Sequence, residues 1–212
     1  MTRLAVVVPT VTGREDHYDR CVASYYEHNA GHEVVVFTAK DHPTLGLAWQ
    51  AGVESVPLDE FDYLHLTCDD IACEEGWLEP CIEAVEAGML PAPYTMHEDG
   101  TYATFGHPPE GGLEDWKTTH TTVSPFCKAE WWEKLGPMIP LHYYTDDWFS
   151  HQGRKNGWPT ACRLGFKLRH FHSMVRRGAG MTEQARLHYD CRLYSRVMSG
   201  GDWPTLEEAK GC

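Results

Sequence analysis

The stretch Asp62-Tyr63-Leu64-His65-Leu66-Thr67-Cys68-Asp69-Asp70-Ile71 alternates apolar and polar side chains as far as Leu66, and soon after reaches two consecutive carboxylates. Alternation of period two marks a strand, and the acids stand at its carboxyl end. In an open α/β sheet the carboxyl ends of the strands border the crevice where ligands collect, and carboxylate oxygens suit hard cations such as Mg²⁺ or Mn²⁺. This one segment therefore predicts a fold class and a place to look for chemistry.

Working outward, Leu4 to Val8 is a continuous apolar run closed by Pro9, the pattern of a strand buried on both faces. Thr10-Val11-Thr12-Gly13-Arg14 reads as the polar loop after it, and Asp16 to Asn29 carries Tyr18, Cys21, Val22, Tyr25 and Tyr26 at helical spacing before the stop at Asn29-Ala30-Gly31. Glu33 to Thr38 is a second buried strand, Leu45 to Val53 a short helix and Tyr63 to Leu66 a third strand. That alternation predicts an α/β domain with a mostly parallel central sheet and helices on both faces. After Asp70, a turn through Glu74-Glu75-Gly76 leads to a helix with Pro80 in its first turn and Cys81, Ile82 and Val85 as its buried stripe. Residues 91–116 are dense in Pro and Gly and read as a long irregular loop. Further on we expect a strand near 120–123, a helix over 128–135, a helix from Tyr143-Tyr144-Thr145-Asp146-Asp147 to about Asn156, and a strand over 166–172.

At 212 residues, 42% hydrophobic and 23% charged, the chain has the composition of one globular domain with a full core. Its first apolar run is too short for a signal peptide or a membrane span, which predicts a cytoplasmic protein with no membrane partner. The eight cysteines form no Cys-x-x-Cys pair, so reduced, packed thiols are expected in place of a zinc ribbon or disulfide framework. Net charge is −13, divided as −19 over residues 1–150 and +6 over residues 151–212. From His151 to Thr182 no acid occurs, while Arg154, Lys155, Arg163, Lys167, Arg169, Arg176 and Arg177 do; such a segment is either a solvated basic face or a seat for an anion.

Four landmarks now stand in order: Val6-Val7-Val8-Pro9-Thr10, Leu66-Thr67-Cys68-Asp69-Asp70, Thr145-Asp146-Asp147-Trp148-Phe149 with Gly157-Trp158 downstream, and Arg169-His170-Phe171-His172-Ser173. In this order they resemble the small GT-A glycosyltransferases near glycosyltransferase family 2, including short members encoded by bacteriophages. The resemblance covers about residues 3–173, which predicts one domain over 1–173 and leaves 174–212 as a carboxy-terminal extension with a helix near 182–198 and a tail. It implies a GT-A, Rossmann-like domain that transfers a sugar from a nucleotide-diphosphate sugar to an acceptor hydroxyl, by inversion, in the cytoplasm (the host's, for a phage protein). The acceptor class stays open among protein, glycan and a modified DNA base.

The same resemblance implies roles. The family's Asp-x-Asp element, which holds a divalent ion against the donor diphosphate, corresponds to Thr67-Cys68-Asp69, with Asp70 following; the first Asp is replaced. Asp69 would hold Mn²⁺ or Mg²⁺, with His170 or His172 as a further ligand. Pro9, Thr10, Thr12 and Arg14 would line the nucleotide, together with Thr67, Cys68, Asp69, Asp70 and Arg169. The Asp that usually follows the second strand is absent, Phe37-Thr38-Ala39-Lys40 standing there with Asp41 as the nearest acid. Deprotonation of the acceptor requires a positioned carboxylate, for which Asp146 or Asp147 is available; the spacing to Gly157-Trp158 favours Asp146. Trp148 beside it offers a face on which a sugar acceptor could stack. Two rivals share this pattern: a nucleotidyltransferase-like enzyme, and a non-catalytic nucleotide-sugar-binding module of the same fold.

Overall fold

The computed structural model describes residues 2–92, 94–97, 117–118, 122–162, 167–171 and 183–210. Along the chain, β1 (Arg3–Thr10), α1 (Glu15–Glu27), β2 (Glu33–Lys40), α2 (Leu45–Glu54), β3 (Tyr63–Leu66), β4 (Ile71–Cys73), α3 (Leu78–Glu86), β5 (Leu90–Pro91) and β6 (Tyr94–His97) come first. They are followed by β7 (Lys117–Thr118), β8 (Phe126–Lys128), α4 (Trp132–Leu135), α5 (Thr145–Lys155), β9 (Thr160–Cys162), β10 (Lys167–His170), α6 (Glu183–Met198) and α7 (Leu206–Lys210).

The central sheet has the order β2-β1-β3-β8, with β1 parallel to β2 and β3, and β8 antiparallel to β3. Because successive side chains alternate, β1 feeds two cores. Ala5 and Val7 join Leu64, Leu66, Trp49, Val53, Phe149 and Leu193 on one face. Leu4, Val6 and Val8 join Cys21, Tyr25, Tyr63, Trp77, Leu78 and Phe126 on the other. Leu64 has no exposed surface, and truncating such a residue to alanine costs about 2–5 kcal/mol. Pro9 is tolerated because β3 pairs with β1 only as far as Val7, leaving Pro9 flanked by β2 alone.

Two smaller sheets, β4-β10-β6 and β5-β9-β7, complete the described strands. Of the expected strand near 120–123, residues 120 and 121 lie outside the described residues and Thr122 and Val123 are not in a strand; the strand that pairs with β3 is Phe126–Lys128. The helix expected over 128–135 is a 3₁₀ turn at Ala129–Trp131 running into the four-residue α4. Strands β4 and β9 were absent from the sequence reading, being three residues each, too short for a period to register. Helix α6 packs onto the core through Leu193, with Tyr189, Tyr194 and Val197 against it. No helix among the described residues is long and apolar enough to cross a membrane.

Candidate active site

The turn joining β3 to β4 carries the two acids. Ile71 N donates to Cys68 O at 3.1 Å, so Asp69 and Asp70 are the central residues of a β-turn between strands. The strand end is pinned from three sides: Thr67 N donates to Val7 O at 3.1 Å, Trp49 Nε1 to Thr67 O at 2.7 Å, and Cys21 Sγ to Cys68 O at 3.5 Å. Thr67 itself is fully buried, so it shapes the site through its backbone and presents no side chain to a ligand, a correction to its expected place in the nucleotide lining.

Asp69 is also buried, and both of its oxygens are engaged. Oδ1 lies 3.1 Å from Arg14 Nη1, and Oδ2 accepts from Thr10 Oγ1 at 2.8 Å. Burial raises the Asp69 carboxyl above its ordinary range, while Arg14 and the Thr10 hydroxyl pull it back. Arg14 also reaches toward Asp70, its Nη2 standing 3.7 Å from Oδ2. The Arg14 side chain is only 12% exposed, and its buried Nε and Nη2 make no hydrogen bond among the described residues. A guanidinium with such donors still to satisfy is suited to a further oxyanion.

Asp70 meets a different partner. Antiparallel pairing of β10 with β4 sets His170 opposite Ile71, and Phe171 N extends the ladder by donating to Asp70 O at 2.7 Å. His170 Nε2 thereby comes to 3.6 Å from Asp70 Oδ2. The alternation that aims His170 at this turn sends Arg169 to the other side of β10, where Glu74 binds it at 2.7 and 3.0 Å. Arg169 therefore does not join the acids, contrary to the sequence expectation. His172, Arg163, Arg176 and Arg177 lie outside the described residues.

The loop after β1 closes on β2. Thr12 N and Oγ1 donate to the Asp41 carboxylate at 2.7 and 2.9 Å, which holds that carboxyl below its usual range. Asp41, at φ +58°, thus orders the segment between Thr10 and Arg14. Pro9 is buried at the end of β1, directly before it.

Asp146 and Asp147 open α5, and the charges of both act on Tyr194. Asp146 adds to the charges of Asp70 and Asp69 that, with burial as the main cause, push the Cys68 thiol well up. Its carboxylate therefore shares the electrostatic surroundings of the β3–β4 turn. Asp147 acts on Tyr144, whose phenol is pushed up to about 12 mainly by its hydrogen bond with Cys191, and on Tyr194, raised to about 12 mainly by burial. Trp148 is not a sugar platform: it is nearly buried, donates from Nε1 to Pro137 O at 2.9 Å, and packs edge-on against Trp203.

A divalent cation is compatible with these residues. A carboxylate oxygen and an imidazole nitrogen 3.6 Å apart can both lie about 2.1 Å from one ion between them. Among the described residues no three His, Cys, Asp or Glu side chains converge into a cage. Asp190 was not singled out in the sequence, where a single acid on a helix four residues after an Arg reads as an ordinary surface pair.

No family model matches the sequence, and no curated protein matches it. Solved structures do match the fold. The crystal structure of GalNAc-T7 with UDP, GalNAc and Mn²⁺ superposes with a TM-score of 0.69 at 12% identity, over 94% of this chain and 48% of that one. S. aureus TarS superposes with a TM-score of 0.56 at 12% identity, over 97% of this chain and 46% of that one. The fold is therefore GT-A, and the chain spans about half the length of the proteins it matches.

Proposed function

We propose that the protein is a glycosyltransferase that moves a sugar from a nucleotide-diphosphate donor to an acceptor hydroxyl by a single inverting displacement, with Asp146 as base. The observation that carries this reading is the meeting, at the carboxyl ends of β1 and β3, of the Arg14–Asp69 pair, the Asp70–His170 pair and the Asp146 carboxylate. It is supported by the GT-A fold, for which one solved neighbour is a complex with UDP, GalNAc and Mn²⁺.

Each residue has a job in this reading. Arg14, steadied by Asp69, directs its remaining donors at the diphosphate and stabilises the charge that grows there as the sugar–phosphate bond breaks. Thr12, fixed by Asp41, lines the nucleoside side. Asp70 and His170 would hold the cation; Asp69, expected to hold it with His170 or His172, mainly anchors Arg14. When bound, Mn²⁺ or Mg²⁺ would neutralise diphosphate charge. Asp146 takes the acceptor hydroxyl proton as that oxygen attacks the anomeric carbon from the face opposite the leaving diphosphate, the geometry that inverts the centre.

The test is a panel of UDP-, GDP- and TDP-sugars with Mn²⁺, read by calorimetry and by nucleotide release, on the wild type and Asp146→Asn. At least one donor should bind the wild type and turn over, and Asp146→Asn should bind it with turnover reduced about a hundredfold or more. Binding without turnover in the wild type would leave a binding module, and no binding at all would end the reading.

A further inference from the structure

The carboxylate of Asp190, on α6, has no exposed surface. Its Oδ2 accepts from two consecutive backbone amides, His142 N and Tyr143 N, both at 2.9 Å. Its Oδ1 stands 3.0 Å from Arg186 Nε, one helical turn earlier. Burying a carboxylate is costly unless it is paired and hydrogen-bonded, and here it is both. The amides it receives belong to the turn that leads directly into Asp146.

That turn is strained and held from two sides. Tyr144 is left-handed at φ 65°, a conformation that a bulky residue keeps only when its surroundings over-determine it. Its ring stacks on Tyr194 of α6, with centroids 5.1 Å apart and planes 17° apart. From the other side, Leu141 O accepts both Gly46 N at 2.9 Å and Thr145 Oγ1 at 2.8 Å. Helix α6 thus contributes a backbone anchor, through Asp190, and a ring anchor, through Tyr194, to the residues immediately preceding the base. The acids at the β3–β4 turn, by contrast, are placed by β1, β3, β4 and β10.

We propose that Asp190 is a positioning residue that sets the Asp146 carboxylate in reach of the acceptor hydroxyl, making α6 part of the catalytic apparatus. This rests on the reading of Asp146 as base. It also separates two halves of the site. Donor binding depends on Arg14, Asp70 and His170, and proton removal depends on the anchored turn.

The experiment compares wild type, Asp146→Asn, Asp190→Ala and Asp190→Asn for donor affinity with Mn²⁺ by calorimetry and for turnover at saturating donor and acceptor. Asp190→Ala should lose about tenfold to a hundredfold in kcat with donor Kd within about twofold, since displacing a reacting group by an ångström costs that much. Asp190→Asn keeps an oxygen for both amides while losing the charge toward Arg186, so its kcat should stay within about threefold of wild type despite a lower Tm. A merely structural role would leave kcat of the folded Asp190→Ala protein at the wild-type value, or lower kcat and donor affinity together, and either result overturns the proposal. Unchanged turnover in Asp146→Asn would remove the base assignment, and the proposal with it. Should Asp190→Ala not fold, Asp190→Ser, whose hydroxyl is too short to reach both amides, is read by the same criteria.

Discussion

Asp70 Oδ2 and His170 Nε2 stand 3.6 Å apart because the β4–β10 register places His170 against Ile71, one residue beyond the acid. Residues 100 apart in the chain are thereby made neighbours at a strand end, and each needs the other for a cation to be held between them. Asp70→Asn or His170→Ala should weaken Mn²⁺ binding in the presence of UDP by about tenfold or more, measured by electron paramagnetic resonance of free Mn²⁺. Unchanged affinity in both variants would place the ion elsewhere.

The Arg14–Asp69 pair makes a prediction about protonation. Burial lifts the Asp69 carboxyl above its ordinary 3.8, and Arg14 opposes that lift. In Arg14→Gln the opposition is gone, so the carboxyl should titrate higher still, as ¹³C NMR of the labelled side chain would record. A carboxyl raised on folding binds its proton more tightly in the folded state, so stability falls as pH rises from 3.8 through the folded value. That fall should be larger in Arg14→Gln than in wild type.

His65 makes the acid limb. It lies in the core between Tyr25, Trp77 and Phe126, with Ser124 Oγ at 2.6 Å from Nε2, and burial lowers it to about 3 from 6.5. The unfolded chain therefore takes up a proton that the folded one refuses. The His65 contribution is full above pH 6.5 and declines by about 1.4 kcal/mol per pH unit as pH falls from there toward 3. Urea unfolding between pH 7 and 4 should show this slope in wild type and a shallower one in His65→Gln, which has no proton to gain.

Gly46 opens α2 against the turn that precedes Asp146. A Cβ there would lie 1.9 Å from Ile139 O, a backbone atom that cannot rotate away. Gly46→Ala should therefore destabilise by about 3 kcal/mol and move the turn, while Glu54→Gln, at an exposed position of the same helix, should cost far less. Thermal unfolding of the two variants checks it.

Much of the frame was readable before folding was considered. The uninterrupted run in β1 and the alternation in β3 are local signals that burial imposes on sequence, and the parallel β2-β1-β3 arrangement follows from the helices between them. The site was readable in part. Asp69, Asp70, Arg14 and Thr10 do gather around one turn, because the ends of parallel strands lie on one edge of the sheet, and His170 joins them through the antiparallel β4–β10 pairing. Arg169 was misread because its neighbour in sequence points the opposite way in a strand, and Trp148 because an aromatic beside an acid looks the same whether it faces solvent or Trp203.

By itself, the sequence determined the strands β1, β2 and β3, the helices α1 and α2 between them, and that two acids would follow a central strand, since period and burial are written residue by residue. Only the tertiary structure decided that Arg14 binds Asp69, that Asp70 meets His170, and that Asp190 holds the turn before Asp146. Those pairings depend on cross-strand register and on how α6 docks, contacts between residues far apart in the chain, which no local pattern encodes.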